Sequence, residues 1–295
     1  TFPHTSGVCP CWLICFRLIS LSANLNREIE WKVKMSGDKY ILNYWNIPGR
    51  GESIRVMLTL GGFEFENNFV PLPLPLENPE GVNPPPFDDG SWGKLKPETP
   101  WGTLPTLTLP SGEIIGQQRS VLRYLGKKIK YEESYLYPTN AESSAHVDGF
   151  MDMLEDIWPI LVGNPAALDS APLYSTLLGQ GTLDDFLNPR MEAGSGDLAF
   201  QFDRLENGIN EDGPFILGHT LSCADVLLFA AIPWWGAGVF QGMENMLNTR
   251  PKIKRVVENV GSINVVSAYY AALKTSRELL PLVGSTKYSA YYENF

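Results

Sequence analysis

A tyrosine that closes an apolar strand, with an arginine six residues later, is the part of this sequence best suited to chemistry. The run Tyr40-Ile41-Leu42-Asn43-Tyr44-Trp45 leads through Asn46-Ile47-Pro48-Gly49 to Arg50 and Glu52, so Tyr44 ends a strand just ahead of a loop and a helix N-terminus. A phenolic hydroxyl beside a cation and a helix N-terminus can donate a hydrogen bond to an anion and favour its ionised form. Taken alone, the same tyrosine reads more readily as an inward-facing strand aromatic, with Tyr40 on the same face. A second group of ionisable residues, Asp148, Asp152, Glu155 and Asp156, stacks along one face of a helix whose other face carries Phe150, Met153, Leu154, Ile157 and Leu161. Acids so spaced form either a solvated face or a binding surface. Cys9, Cys11 and Cys15 lack the histidine or second cysteine pair of a zinc site, and with Cys223 they make no disulfide framework. Gly49-Arg50-Gly51 lacks the third glycine of a dinucleotide fingerprint, and neither a Gly-x-Ser-x-Gly elbow nor a Walker loop is present.

The elements that position these groups read clearly. A strand over Tyr40 to Trp45 is followed by a helix from Glu52, with Ile54, Met57 and Leu58 on one face and Gly61-Gly62 as its stop. A second strand fits Phe65 to Val70. Prolines 71, 73, 75, 79, 84, 85 and 86 then mark an insertion near 71–90. Leu104 to Leu109 alternates as a strand, Pro110-Ser111-Gly112 turns it, and Glu113-Ile114-Ile115 pairs back. A helix from about Gln117 to Lys128 follows. Strand, helix, strand, strand, strand, helix predicts an α/β unit with a small mixed sheet over 35–131. From residue 140 to 295 the periodicity is helical throughout, with a long loop or broken helix at 163–181. Ser222-Cys223-Ala224-Asp225 forms a capping-box variant that opens an apolar helix interrupted by Pro233.

The 295-residue chain is 44% hydrophobic and 19% charged, the composition of a folded globular protein. Its net charge of −10 argues against a broad nucleic-acid or anionic-lipid surface. Residues 1–34 read as an extension outside the fold, with Met35 as the functional start and a targeting leader as the alternative. The apolar stretch from Val8 to Leu21 is too short and interrupted to span a bilayer. With so few cysteines in the body, the protein reads as cytoplasmic.

Several segments together resemble the glutathione transferases. Tyr44-Trp45-Asn46-Ile47-Pro48-Gly49-Arg50-Gly51-Glu52 resembles the Tyr-Phe-x-x-x-Gly-Arg-x-Glu loop of the sigma-like class, the group with the haematopoietic prostaglandin D synthases and cephalopod lens crystallins. Trp101-Gly102-Thr103-Leu104-Pro105-Thr106-Leu107 resembles the segment whose proline is cis. Gln117-Gln118 stands where the family has Gln-Ser, followed by Val121-Leu122-Arg123-Tyr124-Leu125 in place of Ile-Ala-Arg-Tyr-Leu, and Ser222-x-x-Asp225 resembles its helical-domain cap. The resemblance implies an α/β thioredoxin-like N-terminal domain followed by an all-α domain, with glutathione as co-substrate and neither cofactor nor metal. It implies a homodimer acting on hydrophobic electrophiles, without nucleic-acid or membrane partners.

Residue by residue, the resemblance makes Tyr44 the donor to the glutathione thiolate and Arg50 its supporting cation. Trp45, Trp92 and Lys96 fall near the glycine carboxylate, Leu104 before Pro105 offers backbone groups to the cysteinyl part, and Gln117 holds the γ-glutamyl end. Gln118 departs from the family serine: it keeps the backbone donor but replaces a short hydroxyl with a longer amide, so weaker binding is expected. Asp156 matches an acid that reaches the glutathione of the partner subunit, and Asp152 and Glu155 match acids at the dimer axis. The electrophile pocket falls to Ile157, Trp158, Leu161 and the C-terminal tail. The implied alternatives are an isomerase of the prostaglandin D synthase type and a non-catalytic binding or structural relative.

Overall fold

The computed structural model describes residues 39–71, 89–162, 190–234 and 246–276; the side chains of residues 161, 162, 233, 234 and 274–276 are outside the described part. The N-terminal extension, most of the proline-rich insertion, the 163–181 segment and the chain beyond 276 likewise lie outside it.

Alternation along β1 (Tyr40–Trp45) turns Tyr40, Leu42 and Tyr44 into the core. α1 (Gly49–Leu60) supplies the crossover that lets β2 (Phe65–Val70) pair parallel to β1, with Tyr44 opposite Phe69. A short helix α2 (Ser91–Leu95) and a 3₁₀ turn (Lys96–Glu98) precede the hairpin of β3 (Thr106–Thr108) and β4 (Ile114–Gly116). The four strands lie in the order β2-β1-β3-β4, with β3 antiparallel to both neighbours. On the face of β1 away from Tyr44, buried Asn43 is satisfied by Thr106 and Asn68 at 3.1 and 2.7 Å. The expected strand and helix order therefore holds, with the Leu104–Pro105 peptide cis. α1 begins three residues ahead of the expected Glu52, because the Glu52 N–H already donates to the Pro48 carbonyl at 2.9 Å.

α3 (Gln118–Gly126) covers the sheet beside α1. A hairpin of two-residue strands, β5 (Lys130–Tyr131) and β6 (Ser134–Tyr135), follows; it is too short to leave an alternating pattern. Next come α4 (Ala141–Val162), α5 (Asp197–Gly208), α6 (Cys223–Trp234), α7 (Pro251–Gly261) and α8 (Asn264–Ser276). α6 is the centre of the helical half: every side chain from Cys223 to Ile232 is buried, as an apolar helix without a polar face requires. α6 packs on α1, which is itself buried at Gly49 and from Gly51 to Leu58, with Arg50 half-buried.

Two buried charged groups fix the elements that carry the site. Arg55 pairs with Glu52 at 3.0 Å, takes Asn67 at 2.8 Å, and donates to the carbonyls of Ile47 and Pro48 at 3.3 and 3.4 Å, so it clamps the loop leading into α1. Asp225, in the first turn of α6, accepts the Ser222 N–H and hydroxyl at 2.8 and 2.6 Å and the Ile216 N–H at 2.6 Å. Burial pushes its carboxyl up to about 6, while those donors pull it back.

Candidate active site

Tyr44 reaches the end of β1 with its ring beneath the first turn of α1. Two glycines make that approach possible: a Cβ on Gly49 would lie 2.7 Å from the Tyr44 hydroxyl, and one on Gly51 would lie 2.5 Å from ring atom Cδ1. Gly49 also holds a φ of +41°. The Tyr44 hydroxyl accepts the Arg50 N–H at 2.8 Å. That N–H belongs to the first turn of a helix, where the backbone donors and the dipole carry positive charge. Accepting it polarises the phenol and strengthens the hydrogen bond its own proton can donate.

Arg50 is gripped by three other elements. Its guanidinium makes a fork to Glu155 of α4, with both bonds at 2.6 Å, and lies 4.8 Å from the ring centre of Trp158 one turn further on. Its carbonyl accepts Nε2 of Gln118, the first residue of α3, at 2.9 Å, and the same Nε2 reaches the Ser53 hydroxyl at 2.8 Å. These groups border a cleft of about 330 Å³, measured out to its open mouth, between the N-termini of α1 and α3 and the helices α4 and α6. Gly49, Arg50, Gln118 and Glu155 give it a polar side, while Leu154, Trp158, Leu227, Ala230 and Ala231 give it an apolar one.

The acidic face of α4 is engaged within the chain. Asp148 pairs with Arg123 at 2.6 Å and accepts the Tyr137 hydroxyl at 2.9 Å, Asp152 pairs with Arg119, and Glu155 pairs with Arg50. Acids at i, i+4 and i+7 thus lock α4 to α3 and α1. Partial burial and the Asp148 carboxylate raise the Tyr137 hydroxyl above its usual range. Asp156, one position off this row, is exposed.

The cleft brings together Arg50, Gln118 and Trp158, with Tyr44 directly beneath the Arg50 peptide. Trp45 packs edge-on against Trp92 at 5.1 Å between ring centres. Lys96 is exposed at the start of the 3₁₀ turn, its stem beside Gly102. Leu104 is half-buried ahead of buried Pro105, and Gln117 is exposed with a φ of +70° just before α3. None of these six lines the cleft itself. Ile157 corrects the expectation for the electrophile pocket: its side chain is 0% exposed and belongs to the core, one position away from the row that carries Leu154 and Trp158. Leu161 and the C-terminal tail fall outside the described side chains.

The fork between Arg50 and Glu155, the inward turn of the Gln118 amide and the α6 wall of the cleft were not read from the sequence. The spacing of the acids against Arg119 and Arg123, themselves four residues apart on α3, held a signal for such pairing. Burial raises the Cys223 thiol far above its usual value, so it is no nucleophile at neutral pH. Among the described residues no cluster of three metal-ligating side chains occurs, and no helix is long and apolar enough to cross a membrane.

Residues 193–272 match the family model for the glutathione S-transferase C-terminal domain. A glutathione S-transferase of Gallus gallus is 31% identical over 206 residues, spanning 67% of this chain and 74% of its own length. The hematopoietic prostaglandin D synthase of Gallus gallus is 29% identical over 117 residues, 40% of this chain and 47% of that protein. A crystal structure of the glutathione S-transferase from Ascaris lumbricoides superposes with a TM-score of 0.58 at 22% identity, covering 79% of this chain and 97% of the other, and so shares the fold.

Proposed function

The chain belongs to the glutathione S-transferase family, and from that premise we propose that it binds glutathione at the α1 N-terminus, ionises its thiol with Tyr44 and adds the thiolate to a hydrophobic electrophile. The observation that carries this reading is the Tyr44 hydroxyl held by the Arg50 N–H at 2.8 Å, which fixes the phenol at the positive end of α1, where a bound thiolate is stabilised.

The energetics are within reach of these groups. A thiol with a pKa of about 8.5 is roughly 3% thiolate at pH 7, and lowering that pKa by about two units requires roughly 2.7 kcal/mol of preferential stabilisation. A hydrogen bond to a charged acceptor contributes about 1.5–3 kcal/mol, with the helix N-terminus and the Arg50 guanidinium adding to it. In the step itself the sulfur lone pair forms a bond to the electrophilic carbon. With an aryl halide the halide leaves with its bonding pair, and the thiol proton has already passed to water.

In this reading Trp45, Trp92 and Lys96 receive the glycine end of glutathione, the backbone of Leu104 pairs with its cysteinyl part, and Gln117 with the Gln118 N–H holds the γ-glutamyl end. Asp156 of a second copy completes that end in a homodimer. The electrophile rests on Trp158 and Leu154 opposite Leu227, Ala230 and Ala231. The loop motif from Tyr44 to Glu52 supports a sigma-like class within the family. The likeness to a prostaglandin D synthase favours, as a second reading, an isomerase that uses the same thiolate and regenerates it.

Calorimetric titration with glutathione, alongside conjugation of chlorodinitrobenzene by the same preparation, tests the proposal. Saturable binding with turnover is the expected result. Binding without turnover on several aryl halides favours the isomerase, and absence of binding overturns both.

A further inference from the structure

Gln118 stands where a ligand-facing side chain is expected, yet its amide nitrogen is turned into the protein. The residue is 7% exposed, and Nε2 bridges the Arg50 carbonyl at 2.9 Å and the Ser53 hydroxyl at 2.8 Å across 68 and 65 residues of sequence. Ser53 in turn reaches the same carbonyl at 3.3 Å. Arg50 is therefore fastened to α3 by its carbonyl, to β1 by its N–H on Tyr44 and to α4 by its guanidinium.

We propose that Gln118 is a positioning residue for the thiolate-stabilising hydroxyl: by fixing the Arg50 backbone it fixes the N–H that orients and polarises Tyr44. This rests on the thiolate reading above. An amide suits the task better than a shorter hydroxyl, because it spans from the first residue of α3 to a carbonyl in the first turn of α1. Its two N–H groups also meet two acceptors at once. With α1 held rigidly at its N-terminus, the Tyr44 oxygen does not have to reorganise as the thiol ionises. Without the amide, the Arg50 carbonyl loses a buried donor and the first turn of α1 gains freedom exactly where a displacement of a fraction of an ångström matters.

The test is the pH dependence of kcat at saturating glutathione, whose acid limb reports the ionisation of the bound thiol. Gln118→Met retains the side-chain length and packing without the donor, and Gln118→Ser removes both. In each the acid limb is expected to move up by about one pH unit, with the KM for glutathione changing less than about threefold. Ser53→Ala, which removes one of the two acceptors and leaves the interior volume nearly unchanged, is expected to move the limb in the same direction by less, and it serves as the probe if the Gln118 variants fail to fold. An unmoved limb in these variants, with or without a tenfold rise in KM, overturns the positioning role; the rise in KM shows instead that the amide holds the ligand. A wild-type protein that lacks an acid limb between about pH 5 and pH 8 overturns the thiolate reading itself, so the two failures are separable.

Discussion

Glu155→Gln separates two roles that one carboxylate plays at Arg50. The fork has both bonds at 2.6 Å, with the Arg50 and Glu155 side chains 24% and 29% exposed, so the pair is partly screened. Exposed pairs are worth about 0.2–1 kcal/mol, while removing one partner of a fully buried pair costs about 3–5 kcal/mol. An intermediate cost of roughly 1–2 kcal/mol follows, because glutamine keeps one acceptor but sets an NH₂ against the guanidinium. For a domain of this size that is a fall in Tm of about 2–8 °C. The effect on chemistry has the opposite sense. The carboxylate offsets the Arg50 charge, and an uncompensated unit charge about 8 Å from the sulfur, at an effective dielectric of roughly 20–40, is worth roughly 1–2 kcal/mol toward the thiolate. The acid limb of kcat for Glu155→Gln should therefore move down by about one pH unit, whereas Arg50→Met, which removes the cation and leaves the anion, should move it up. Thermal melts and pH profiles of both variants read the two effects separately. A limb that rises in Glu155→Gln as it does in Arg50→Met would refute the charge argument and show that Glu155 acts only by holding Arg50 in place.

Tyr44→Phe should lower turnover about ten- to a thousandfold with little change in the KM for glutathione, since losing one such donor costs about 1.5–4 kcal/mol; unchanged turnover removes Tyr44 from the mechanism. Gly51→Ala sets a Cβ 2.5 Å from the Tyr44 ring, so stability should fall by about 1–3 kcal/mol in denaturant unfolding and turnover should fall with it; a neutral substitution would mean that the ring does not pack on α1. The Asp225 carboxyl, pushed up to about 6 by burial, lies above its unfolded value, so the folded state holds the proton more tightly. Its contribution to stability is full below about pH 4 and is lost as pH rises through about 6, a change of about 3 kcal/mol. Denaturant midpoints measured from pH 4 to pH 8 should show this slope in wild type and not in Asp225→Asn, and parallel curves would contradict it.

What was legible in the sequence follows from how each signal arises. β1 and β2 occupy the predicted residues because alternation with one buried face leaves a single consistent register. The Ser222 to Asp225 cap was visible because capping uses residues close in sequence. By contrast, the Gln118 amide could turn toward a ligand or toward α1, and only the distance to Arg50, set by how α1 and α3 pack, decides for the interior. Ile157 and Trp158 are adjacent apolar residues on α4, and periodicity alone does not say which of them meets the core and which meets a cleft opposite α6. Likewise the acid row of α4 reads as solvated until α3 brings its arginines alongside.

In the proposed mechanism Tyr44 lowers the pKa of a thiol bound beside it. Ultraviolet titration of the thiolate band of glutathione bound to the protein, in wild type and in Tyr44→Phe, tests it without any electrophile. The wild-type midpoint should lie about two pH units below that of the free thiol, and in Tyr44→Phe it should return most of the way to the free value. A midpoint that is the same in both proteins, or a wild-type midpoint at the free value, would contradict the account.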